Sequence, residues 1–72
     1  MLRNYTARYI RTSSGYMGQL IEWPEVISEG RTIESCRESL RDALTEMVMA
    51  YRQLKRKVPI GGGLIEHLPV EV

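Results

Sequence analysis

One histidine, one cysteine, one aspartate and eight glutamates bound the chemistry open to this 72-residue chain. Hydrolysis of a phosphodiester by two metals needs several carboxylates converging on one end of a sheet, because two divalent cations must be neutralised. Asp42, the single aspartate, falls in a helical stretch. Glu22, Glu25 and Glu29 lie closer together, but they border turns, where carboxylates are ordinarily solvated, and no metal-ligand spacing links them. His67 has no nucleophile near it in sequence and reads as a half-exposed strand residue rather than a general base. Cys36 sits on an apolar helix stripe and reads as a small buried hydrophobe, although a first-turn position can lower a thiol pKa. Gly61-Gly62-Gly63 lacks the Lys-Ser/Thr pair and the following helix of a phosphate loop, so it is a linker. The expectation is a chain with no catalytic residue, no metal and no cofactor.

Contact chemistry is better represented. Tyr16, Met17 and Trp23 lie on or beside one strand, and Glu22 and Glu25 flank the tryptophan. Partly exposed Trp and Tyr anchor interfaces. The same residues are also what a core needs in a chain without phenylalanine. The sequence leaves both readings open. On the first, Tyr16, Glu22, Trp23 and Glu25 form the partner-binding surface. Arg52, Lys55, Arg56 and Lys57 are the one basic cluster. Phosphate contact is one use for it; complementing the negative end of a helix is the simpler one.

Composition narrows the class. Hydrophobic content of 43% and charged content of 26% are ordinary for a globular domain. A net charge of +1 gives no overall field favouring nucleic acid or a membrane. There is no apolar leader after Met1 and no run long enough to span a bilayer. With a single cysteine, these features fit the reducing cytoplasm, which is the expected location. Residues 1–72 are expected to form one domain. A chain this short buries little surface, so a homodimer or larger homo-oligomer is expected.

The elements follow from turn residues and periodicity. Residues 5–12 alternate, with Tyr5, Ala7 and Tyr9 on one face, and read as a first strand. Ser13-Ser14-Gly15 is a hairpin turn, with Gly15 supplying positive φ. A second strand covers residues 16–22, and Trp23-Pro24-Glu25 turns the chain into a short third strand over 26–28. Thr32 is the N-cap of a helix running from Ile33 to about Arg56. Ile33, Cys36, Leu40, Ala43, Leu44, Met47, Tyr51 and Leu54 make its apolar stripe. Val58-Pro59 stops it, and residues 64–72 read as a fourth strand broken by Pro69. The fold class is α+β: a two-layer βββαβ domain with one helix on a small mixed sheet. A right-handed crossover places the fourth strand beside the first.

This ordered set resembles the HicB-like antitoxins, small proteins that neutralise HicA-type RNA-cleaving toxins. The resemblance spans Tyr5 to Leu54 and is carried by Gly15-Tyr16, Pro24, Ser28-Glu29-Gly30 and Thr32. It implies a partial ribonuclease-H-like fold and a non-catalytic protein that covers the toxin's active surface. The family's usual glutamate is replaced by Ser35, so a weakened helix cap is expected. The chain ends soon after its helix, with no room for the DNA-binding domain many members carry, and no DNA contact is expected from it. A degenerate nuclease-like protein using Glu22, Glu25 or His67 and a weak RNA-binding module are the alternatives.

Overall fold

A computed structural model describes residues 3–71. Strand β1 (Ala7–Thr12), strand β2 (Gly15–Leu20), strand β3 (Ile27–Gly30) and helix α1 (Ile33–Gln53) follow in that order. The three strands form one antiparallel sheet, ordered β1-β2-β3, and α1 packs across β2 and β3. The protein is thus a small α+β domain with a βββα core.

The hairpin closes on Ser13 and Ser14, pairing Thr12 with Gly15. Gly15 has φ +149°, and a Cβ there would strike the Gly30 carbonyl. Only glycine satisfies both demands. Trp23-Pro24-Glu25-Val26 is a closed turn, with the Val26 N–H donating to the Trp23 carbonyl at 2.9 Å. Proline presets φ at the second position of such a turn. The turn swings the tryptophan under the sheet.

Among the described residues six apolar side chains are buried: Leu20, Trp23, Val26, Cys36, Leu40 and Tyr51. Tyr5, Ala7, Tyr9, Ala43, Leu44, Met47, Val48 and Val58 pack around the main cluster. The alternation of Tyr5, Ala7 and Tyr9 therefore faces the core as the sequence implies. Trp23 is the centre of an aromatic group. Its ring lies 4.8 Å from Tyr51 in an edge-on arrangement and 6.1 Å from Tyr5. Gly30 lets the helix start close against the sheet, since a Cβ there would lie 2.6 Å from the Cys36 nitrogen.

The helix is capped at both ends by side-chain and backbone chemistry. Thr32 Oγ1 accepts from the Ser35 N–H at 3.0 Å, and Ser35 Oγ accepts from the Thr32 N–H at 3.1 Å. The expected weakening at Ser35 is therefore corrected: its hydroxyl completes the capping box that glutamate usually closes, because the two residues are near enough for a short side chain to span. The C-terminus comes earlier than the sequence implies. The Arg56 N–H donates to the Tyr51 carbonyl at 2.8 Å and the Lys55 N–H to the Arg52 carbonyl at 3.1 Å. This is a Schellman ending, with Lys55 at φ +56° where glycine is usual. Leu54 is turned out of the stripe and lies exposed. Lys55, Arg56 and Lys57 stand beyond the helix, and the Arg56 guanidinium sits 4.5 Å over the Tyr51 ring.

The fourth strand does not form within the single chain. Residues 64–71 pair with no strand, and the sheet is antiparallel rather than mixed. Val72 lies outside the described residues. The chain is held as far as Pro59, whose carbonyl accepts from Tyr5 Oη at 2.6 Å. Gly62 then takes φ +81° and redirects it. Beyond that turn Leu64, Leu68 and Val70 stand largely in solvent, and Ile65 is partly covered.

Candidate functional site

Tyr16, Glu22, Trp23 and Glu25 do not converge. Tyr16 opens β2 at the hairpin end, half-buried, with the Arg11 guanidinium 6.0 Å from its ring. Glu22 lies past the other end of the same strand. Most of the length of β2 lies between them. The other three are neighbours around the turn, but each has work inside the fold.

Trp23 is 1% exposed, which resolves the open reading in favour of the core. Its Nε1–H is buried and has no hydrogen-bond partner among the described residues. Such an unpaired donor costs about 1–3 kcal/mol, less than the stabilisation a fully buried aromatic ring brings through area and edge-on packing. The indole offers no contact surface in the single chain.

Glu22 holds the entrance to β1. Its carboxylate accepts from the Thr6 N–H at 2.7 Å and from Thr6 Oγ1 at 2.8 Å. The backbone bond from Thr6 is the main cause that holds its pKa below the ordinary carboxylate value of 4.5; partial burial works against it, and the Thr6 hydroxyl and backbone N–H groups, Gly62 among them, add to the lowering. The Glu22 carboxylate thus ties the chain after β2 to the segment that leads into β1.

Glu25 is exposed, and its carboxylate accepts from Tyr51 Oη at 3.3 Å, linking the turn to the helix. It also edges a shallow depression of about 290 Å³ between β3 and the helix. Glu46 stands on the same rim, over a floor that includes Val26, Ala43 and Met47. The rim carries two carboxylates and no cation. Helical spacing puts Glu46 off the apolar stripe and gives no sign of its neighbour. Its position beside Glu25 depends on how α1 crosses β3.

A larger open groove of about 810 Å³ runs along the second half of the helix. Leu44, Val48, Met49 and Val58 line it, with Arg3, Arg52 and Lys57 on its margin. Its cations come from both ends of the chain. Sequence reading grouped Arg52 and Lys57 with Arg56 and could not bring in Arg3.

Among the described residues no group of three or more His, Cys, Asp or Glu side chains is placed to hold a metal ion. Cys36 is buried against the sheet, and His67 lies exposed on the C-terminal segment. No helix is long and apolar enough to cross a membrane.

The family model described as UPF0150-like matches residues 5–60. The chain belongs to that family. The match covers the sheet, the helix and the anchored turn after it, and stops where the exposed C-terminal segment begins. No curated protein matches the chain.

Proposed function

We propose that this UPF0150-like protein is a HicB-like antitoxin or a stand-alone relative of that group, a cytoplasmic, non-catalytic homo-oligomer that binds a HicA-type RNA-cleaving toxin. The observation that carries the proposal is the Glu25–Glu46 rim over an apolar floor. A toxin that cleaves RNA must present cations to the phosphate backbone. Two carboxylates flanking apolar contact area meet such a surface, steer the encounter and exclude RNA from it. The family match supports the class of protein. The βββα order agrees, up to the end of the helix, with the fold that the resemblance implies.

Of the residues the sequence singles out, Glu25 stays at the centre of this surface. Glu22 is the wrong residue to test it with, because replacing that carboxylate removes two bonds to Thr6 and disturbs the fold. The informative variant is Glu25→Lys with Glu46→Lys, both exposed. Binding to a HicA-type toxin, followed by calorimetry, should weaken by about tenfold or more, on the scale of about 1.4 kcal/mol per tenfold. Unchanged affinity moves the interface elsewhere; no binding by the parent removes the antitoxin reading. Magnesium- or manganese-dependent cleavage of RNA by the purified chain, abolished by Glu25→Gln, would put the nuclease-like alternative in its place.

A further inference from the structure

We infer that the C-terminal segment, residues 64–71, is an exchanged arm that adds as a strand to the free β1 edge of a second copy of this chain. The inference deepens the homo-oligomer part of the proposed function and is independent of any toxin.

The arm has no partner at home. Leu64 is 97% exposed, Val70 80% and Leu68 78%, while Ile65 at 43% is partly covered. The Cα radius of gyration is 13.9 Å, against about 11 Å for a compact chain of this length. A segment of this composition in water is a patch seeking cover.

The receiving edge is defined by hydrogen bonding. The Ile21 N–H donates to the Thr6 carbonyl, and the Leu20 N–H to the Val26 carbonyl. With the register Thr12↔Gly15 and Ala7↔Leu20, residues 6, 8, 10 and 12 bond inward to β2. The backbone N–H and C=O groups of Ala7, Tyr9 and Arg11 therefore point outward. Among the described residues no strand lies on that side. An unpaired edge of this kind is a template for another strand.

Charge selects the arm as its occupant. β1 carries Arg8 and Arg11 and no acid, whereas the arm carries Glu66 and Glu71 and no lysine or arginine. Pro69 fits as well. In a strand added at the edge, alternate residues turn their backbone outward, and a proline there loses no bond. With Leu64, Glu66, Leu68 and Val70 bonding inward, Pro69 faces solvent and stops a further strand from adding. Two arms exchanged about a twofold axis close the assembly as a dimer.

Exchange between copies, rather than folding back, follows from the hinge. Gly61 lies against the Asn4 carbonyl, just before β1, and Gly62 at φ +81° then turns the chain aside. A Cβ at Gly63 would meet nothing within 4 Å, so the chain is not packed where the arm begins.

Sedimentation equilibrium of three proteins tests the inference: the full chain, the chain ending at Gly63, and Arg11→Pro. The last removes one outward N–H and no bond to β2, so far-UV circular dichroism should match the parent. The full chain should be a dimer at tens of micromolar and both variants monomers. Amide hydrogen exchange should show Ala7, Tyr9 and Arg11 protected in the concentrated full chain and unprotected on dilution to monomer. A full chain that is monomeric overturns both the oligomer and the arm. A chain ending at Gly63 that stays dimeric, or an Arg11→Pro variant that does, overturns the arm alone. Edge amides equally protected in the dilute monomer place the arm on its own β1 and overturn the exchange.

Discussion

Residues 5–59 and residues 60–71 have similar appetites for burial and opposite outcomes. In the first region, the strands alternate and the helix keeps an apolar stripe, so every large side chain on the inner side meets another. In the second, Ile60, Leu64, Leu68 and Val70 are as apolar as anything in the core, yet stand in solvent. The difference is one of placement. A strand becomes stable when its backbone finds a ladder and its side chains find a covered face. The first region supplies both from within itself. The second begins at a glycine hinge and would have to take them from elsewhere. The family match ends at the same boundary, so the shared framework is the self-sufficient part.

The sharpest way to break this contrast is to remove one side chain from each region. Leu40→Ala, at a buried helix position, should destabilise by about 2–5 kcal/mol. Leu68→Ala should leave the melting temperature of the dilute monomer unchanged. Thermal denaturation of both variants below the dimerisation range reads the comparison directly. A mild Leu40 variant would mean that the helix register is wrong.

A smaller effect should come from Glu22, which bonds Thr6 and approaches the hinge at Gly62. Its pKa is lowered in the folded protein, so its contribution is present above the ordinary carboxylate value of 4.5 and is lost as pH falls through the lower folded value. The parent should therefore lose stability in acid, and Glu22→Gln should be less stable at neutral pH with a flatter acid limb. Urea melts at neutral and acid pH check this; parallel curves for the two proteins would deny Glu22 its role.

The smallest expected change sharpens the boundary itself. Lys55 holds the left-handed position after the helix at a cost of about 1–2 kcal/mol for a residue with a Cβ. Lys55→Gly removes that strain but frees the unfolded chain, so a net gain of about 0.5 kcal/mol is expected. A loss on chemical denaturation would show that the lysine side chain contributes something the backbone geometry does not reveal.

Much of the framework was legible in the residues. Thr32, the stripe from Cys36 to Tyr51 and the Ser-Ser-Gly turn are local signals, and each acts within a few positions of itself. Helix length was misread because Leu54 continues the periodicity while a lysine does a glycine's work at Lys55. The fourth strand was misread because residues 64–71 have strand composition, and composition is silent about whether a partner edge is within reach. The candidate surface was read less well. Glu25 was visible as a carboxylate at a turn, but its neighbour Glu46 is brought alongside only by the crossing of helix and sheet.

The sequence alone determined the order of elements, the faces of the first strand and the helix start, because these depend on spacing and on backbone preferences of nearby residues. The tertiary structure decided the rest. It sent Trp23 inward, because the Pro24 turn delivers the ring between Tyr5 and Tyr51. It made Glu22 a tie to Thr6, because the two meet only when the hairpin closes. Among the described residues it left one edge of β1 bare, because the segment with the composition to cover it turns away at Gly62. Contacts between residues far apart in the chain are set by how elements cross, and no local spacing encodes that crossing.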